Sequence, residues 1–434
     1  MSSIIKGGRA HLRYAHSIKV AQVGRAIAGV VLRSHLGVHP DLEDFLDPTV
    51  VETAGLAHDI GHPPIAHLGE ETLQQWRPDT LPFEGNAQTF RVLVYHGDRT
   101  FGEPGFDLTR ASVSAAVKYP WSCDDPKAEK GKFGFYAEDE EAFRWATQGT
   151  QAEVGKPTLE AQIMDWADDI TYAVHDAQDY FRDGLIPLER VLYPGDTHNQ
   201  YLDYLVTKLQ ADEKWLGWRP DLFERSAGGI DWDKTRALFS TRLLALGNTF
   251  VGLDELGPYN GSFDHRSALV GGAAALLGTL IEGPTGTGEP LPFGINRDDE
   301  GFWSFNPNRN QHADVFVLKA LLWWSVVPRL RAEQSVRSEW TSKVLEELWR
   351  YLKGERTLPW DSPVLDNVAE GTHDDSTLGR FVMDAVSGMT DAELEALYVV
   401  LAEPGKDHPD KIDLAKTTPL PLPPGFERAP QPLT

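Results

Sequence analysis

Cysteine is almost missing from this chain of 434 residues: Cys123 is the single one. A disulfide within the chain is therefore impossible, and a cysteine-rich zinc site is excluded. A reducing cytoplasm fits that composition, and a cytoplasmic location is the expectation. Long apolar runs are missing too. No stretch approaches the ~20 residues of a transmembrane helix. The opening Met1-Ser2-Ser3-Ile4-Ile5-Lys6 lacks the apolar segment of a signal peptide. Positive charge is scarce: 41 Lys and Arg stand against 65 Asp and Glu, a formal net charge of −24. So acidic a surface repels a phosphate backbone and argues against general nucleic-acid or anionic-membrane binding. A small anionic substrate stays open, because a metal ion and a few basic side chains can invert the field locally. No internal repeat is visible.

What is present reads as a large globular protein, with 41% hydrophobic and 10% aromatic residues. The fold class expected is all-α, or mostly α: a helical bundle with further C-terminal helices and few or no strands. Val20, Val23, Ile27, Val30 and Val31 recur at helical spacing over about 11–32. Asp47-Pro48 is a helix start, and Gly61 with Pro63-Pro64 is a stop. Short helices are expected over about 66–76 and 86–95, and 120–135 reads as loop. The strongest pattern runs from Thr158 to Phe181. There Ile163, Trp166, Ile170, Ala173, Val174 and Ala177 form a core face, with Asp168, Tyr172 and Asp176 on another. Further helices are expected over about 186–212, 233–252, 312–333, 336–353 and 391–402. Residues 283–311 read as a long loop with room for a short hairpin. The domain reading is a core over 1–185, a helical region over 186–416 packing on it, and a Pro-rich tail over 417–434.

Chemistry concentrates in three fragments: His16, the adjacent pair His58-Asp59, and Asp168. Two imidazoles and two carboxylates make a mixed nitrogen and oxygen donor set for a metal ion, and an ion so held would polarise phosphate oxygens and lower the pKa of its water. Each fragment has a bland reading. A lone helix histidine is more often surface or core, and the run Asp165 to Asp183 could be a solvated acidic face. The neighbours Trp166, Ala167 and Ile170 argue for burial of Asp168, and carboxylates are rarely buried without a partner. Downstream, His62, His67 and Glu70 surround a Pro-Pro turn, and the bland reading makes His62 and His67 no more than polar caps of that turn. His67 and Glu70 are three apart on one helix, so Glu70 can fix the imidazole tautomer and raise its pKa, as a general acid requires.

In order along the chain stand Arg13-x-x-His16-Ser17, Leu56-Ala57-His58-Asp59-Ile60-Gly61-His62-Pro63-Pro64, Phe83-Glu84-Gly85-Asn86-Ala87-Gln88, Lys118-Tyr119-Pro120-Trp121, Ala167-Asp168-Asp169-Ile170-Thr171-Tyr172 and Val386-Ser387-Gly388-Met389-Thr390-Asp391. With these words the chain resembles HD-domain metal-dependent phosphohydrolases, and more closely deoxyguanosinetriphosphate triphosphohydrolase-like proteins. The resemblance spans about Leu12 to Leu185, with a weaker echo near Asp384. It implies His16, His58, Asp59 and Asp168 as ligands of a divalent metal ion, Mn²⁺ or Mg²⁺, and His67 backed by Glu70 as catalytic acid. It implies that Arg13 and His62 hold phosphates, and that Tyr172 and Asp176 line the sugar and phosphate pocket. The implied reaction takes a deoxynucleoside triphosphate (dNTP) to deoxynucleoside and inorganic triphosphate. A homo-oligomer is implied by the same analogy. The family's element before Arg-x-x-His, rich in Arg, Lys, Thr and Gln, has no counterpart in residues 3–11.

Two other readings stand beside this one. One is a different HD phosphohydrolase, a 5′-nucleotidase or a phosphodiesterase. The other is a nucleotide-binding regulatory protein with little turnover, motivated by the incomplete N-terminal element. Glu84, Asn86 and Gln88 carry no firm role. Lys118 and Arg91 could reach phosphates but read first as solvated surface, and Trp323-Trp324 reads as core rather than as a ligand stack.

Overall fold

A computed structural model describes residues 13–65, 67–77, 82–97, 105–211, 222–226, 229–283, 293–357, 368–369 and 371–402, with Arg13, His67, Lys130, Ser226, Ala402 and residues 330–335 described in backbone only. The Pro-rich tail lies outside them. The described chain is mostly helical, as expected, with two small antiparallel two-stranded sheets. No described helix is long and apolar enough to cross a membrane. The chain forms two compact units, one of residues 1–17, 56–161 and 332–434, the other of 18–55 and 162–331.

The first unit packs helices His67–Gln75, Asp375–Ser387 and Asp391–Ala402 and the C-terminal part of Val327–Leu352 around one apolar cluster. Ile65, Leu73, Phe83, Leu348, Phe381 and Val386 are among its buried members. Each such side chain contributes about 1.5–3 kcal/mol through removal from water. A second cluster, with Phe90, Val113, Phe135 and Phe143, seats the helices Gly85–Arg91, Arg110–Ala115 and Glu140–Thr147.

Between these helices lies a buried polar lattice. Asp384 accepts from Gln88 Nε2 and from Arg91 Nε, both at 3.0 Å, and faces His96 Nε2 at 3.3 Å. Arg91 also donates to Asp139. Arg380 stacks 3.6 Å over the Tyr136 ring and donates to Glu138 at 2.9 Å. Burial opposes ionisation of Asp384, but Arg91, His96 and Arg380 outweigh it and hold the carboxyl well below the usual range. Arg91 is thus not the solvated residue expected from sequence; it is 2% exposed. The late echo near Asp384 acquires its physical reason here: it is the carboxylate that Gln88 and Arg91 require.

In the second unit, Ile163, Trp166, Ile170, Ala173, Val174 and Ala177 are all buried, as the pattern predicts. The 158–181 segment is not one uniform helix. It runs Leu159–Thr171, widens by a π-turn at Tyr172–Asp176, and resumes at Ala177–Arg182. The wide turn changes the angular offset between Asp168 and Asp176 from that of regular i, i+8 spacing. The hairpin in the 283–311 region is real: Phe293–Arg297 pairs with Trp303–Pro307. The helix Phe263–Glu282 is not evident from the sequence, because its run of Gly and Ala weakens the apolar period. The separate helices expected at 312–333 and 336–353 are continuous, running Arg309–Leu321, a π-turn at Leu322–Val326, then Val327–Leu352. Trp323 is 39% exposed on that turn, while Trp324 packs on Tyr201 at 5.2 Å.

Arg91→Met strands two buried carboxylates. It should lower unfolding stability in urea by ~3–5 kcal/mol, the scale for breaking one side of a buried pair. A loss below about 1 kcal/mol, as for a surface pair, would contradict the lattice as described.

Candidate metal centre and acid cluster

The helix Pro48–Ala57 ends where Gly61, Pro63 and Pro64 forbid its continuation, and a tight turn follows. Ile60 N–H donates to Ala57 C=O and His62 N–H to Asp59 C=O, each at 3.1 Å. The turn is pinned from outside. Thr89 Oγ accepts from Gly61 N–H and donates to His58 C=O, both at 3.1 Å. A Cβ on Gly61 would stand 2.0 Å from Thr89 N, so only glycine permits this approach. Ile65 takes φ +65°, a costly conformation for a β-branched residue. Its N–H donates to Asp391 Oδ1 at 2.8 Å, and its side chain sits in the main apolar cluster. The late word ending at Asp391 therefore anchors the turn.

This pinning sets adjacent residues of a helix end toward one point. Ligand atoms of His16, His58 and Asp59 all lie within 4.8 Å of one another. His58 Nε2 stands 3.4 Å from Asp59 Oδ1, and the His16 and His58 ring centroids are 5.5 Å apart. His58 is fully buried; His16 and Asp59 are half-buried. Asp59 Oδ1 also faces His62 Nδ1 at 3.3 Å. Two imidazole nitrogens and a carboxylate this close could hold a divalent ion. Asp168, Tyr172 and Asp176 belong to the second unit, where Asp168 and Tyr172 are half-buried and Asp176 is buried. Beside them Lys319 pairs with Asp169 and stands 5.3 Å from the Tyr172 ring centre.

A second polar group surrounds Glu70, which is 2% exposed. Glu70 lies on the helix His67–Gln75, three residues after His67. Its Oε1 accepts from Gly85 N–H at 3.3 Å and from Lys132 Nζ at 3.2 Å. Glu84, also fully buried, caps the helix Gly85–Arg91 by accepting from the N–H groups of Asn86 and Ala87. Its other oxygen accepts from Asn86 Nδ2 and Lys132 Nζ, both at 2.8 Å. Gly85 is needed in its own right, since a Cβ there would come 2.7 Å from the His62 ring. Burial works against the Lys132 charge, but Glu84 and Glu70 outweigh it and hold the ammonium above the usual lysine range. Glu84 and Gln88, without a role in the sequence reading, thus belong to the buried polar framework. Lys132 is missed there altogether. Its carrier loop, Gly131 to Gly134, has no periodicity to reveal which way the lysine faces.

Gly61→Ala forces the turn away from Thr89. It should cost about 1–3 kcal/mol of stability in urea and weaken Mn²⁺ binding measured by calorimetry. Unchanged stability and affinity would contradict the pinned turn.

The HD domain family profile matches residues 13–173. A "deoxyguanosinetriphosphate triphosphohydrolase-like protein" of Bifidobacterium longum is 30% identical over 416 residues, covering 90% of this chain and 76% of the relative. Proteins of the same description from Streptomyces coelicolor and Corynebacterium efficiens are 42% and 41% identical over 179 and 190 residues, about two fifths of each chain. With its His-Asp pair on a pinned helix end and a relative matched along most of its length, the chain belongs to the HD-domain family of deoxyguanosinetriphosphate triphosphohydrolase-like proteins.

Proposed function

We propose that this protein hydrolyses a dNTP, dGTP being the first to try, to deoxynucleoside and inorganic triphosphate. The observation that carries the reading is the approach of His16, His58 and Asp59 within 4.8 Å, the donor set of a divalent ion, in a chain of this family. Asp168 joins them as fourth ligand on the sequence resemblance alone. A bound Mn²⁺ or Mg²⁺ would supply charge neutralisation at phosphate oxygens and acidify a water.

The chain's own residues do the rest. Arg13 and His62 bind the negative triphosphate, and the contact of His62 with Asp59 orients its ring. His67 carries the proton that the departing 5′ oxygen needs, with Glu70 steadying the imidazole from the same helix face. Tyr172 and Asp176 receive the sugar, Asp176 by accepting from a ribose hydroxyl. None of these contacts involves the base, so base preference resides elsewhere.

Purified protein with Mn²⁺ and each of the four dNTPs should release triphosphate, resolved from orthophosphate by anion exchange. Orthophosphate as the primary product would favour a nucleotidase. Binding of dNTP with thermal stabilisation but no product would favour a regulatory role. His58→Ala and Asp168→Ala should lose metal and activity together. His67→Ala should retain metal and lose turnover ~10²–10⁴-fold; normal turnover in that variant would remove His67 as the acid.

A further inference from the structure

Lys132 has no part in the reaction as proposed, yet it is the cation set between two buried carboxylates. Its Nζ lies 2.8 Å from Glu84 Oε1 and 3.2 Å from Glu70 Oε1. The lysine is held at its backbone as well as its tip. Trp121 Nε1 donates to Lys132 C=O at 2.7 Å, and Gly134 N–H donates to Trp121 C=O at 2.9 Å. Phe133, next in the chain, is buried against Tyr136 and Ala87. Glu84 is itself immobilised as the cap of the Gly85–Arg91 helix. The ammonium is thus fixed on one side by a carboxylate that the helix start already holds. On the other it grips Glu70, whose helix neighbour three residues back is His67.

We propose that Lys132 is a positioning residue for the His67–Glu70 pair: anchored by Glu84, its ammonium holds one oxygen of Glu70 and keeps that carboxylate oriented. The inference rests on the reading of His67 and Glu70 as the acid pair. Without the cation, the two buried carboxylates that now share one Nζ repel each other and Glu70 loses the partner that fixes its oxygen. A Glu70 turned away from its present direction no longer steadies an imidazolium. Trp121, in the Lys118-Tyr119-Pro120-Trp121 word, acquires a reason as well, since its indole clamps the loop that carries Lys132.

A double-mutant cycle on the full chain with Mn²⁺ and dGTP tests this. Lys132→Met should lower kcat ~10–100-fold, the usual effect of losing a partner that orients a site residue, with KM and bound Mn²⁺ unchanged. Lys132→Arg should recover part of that loss. In a Glu70→Gln background, Lys132→Met should cost less than about 2-fold, because residues acting through one another are not additive. Should Lys132→Met fail to fold, Lys132→Gln carries the same cycle. A raised KM at unchanged kcat, or an undiminished loss in the Glu70→Gln background, would show that Lys132 acts on substrate directly and overturn its role alone. A wild-type chain that releases no triphosphate from any dNTP overturns the reaction, and Lys132's role falls with it.

Discussion

Burying carboxylates is the constraint that organises the first unit. Glu70, Glu84, Asp139 and Asp384 are all removed from water, in a chain whose net charge is already −24. Each must find cations or N–H donors, since an isolated buried charge costs several kcal/mol. Arg91 serves Asp139 and Asp384, Lys132 serves Glu70 and Glu84, and the first turn of the Gly85–Arg91 helix completes Glu84. These partners come from segments far apart in the chain, so satisfying the charges also fixes how the helices meet. The turn bearing His58, Asp59 and His62 is held by Thr89 of the same Gly85–Arg91 helix and by Asp391 at the start of the helix that follows Asp384.

Local signals make much of this legible from sequence. Asp47-Pro48 and the Gly61-Pro63-Pro64 stop bound a helix that the structure gives as Pro48–Ala57. The core face of the 158–181 segment is readable because six apolar residues keep strict helical spacing. The hairpin over 293–307 is suggested by its Gly, Pro and Asn content. What stays hidden is non-local. Arg91 looks like a surface residue until Asp384, nearly three hundred positions later, turns up beside it. Lys132 sits in an irregular loop. The helix Phe263–Glu282 presents Gly and Ala where a period would need larger apolar groups. The π-turns at 172–176 and 322–326 have no sequence signature of their own.

The candidate metal centre shows the same division. His58 and Asp59 are adjacent, and neighbours on a regular helix point about 100° apart. Only the end of the helix, with Gly61 pressed against Thr89, lets both face His16. Sequence could propose that meeting from family likeness; the reason it is physically possible is the glycine approach and the strained, anchored Ile65. Function in this reading depends less on rare residues than on a backbone forced into one tight path.

The meeting of His16, His58 and Asp59 on one cation is best examined by electron paramagnetic resonance of the full-length protein titrated with Mn²⁺, with electron spin-echo modulation to count coordinated nitrogens. One tightly held ion per chain is expected, with two imidazole nitrogens bound and one of them lost in His16→Ala. A stoichiometric ion with no nitrogen coupling, or a signal that His16→Ala leaves unchanged, would contradict the shared site.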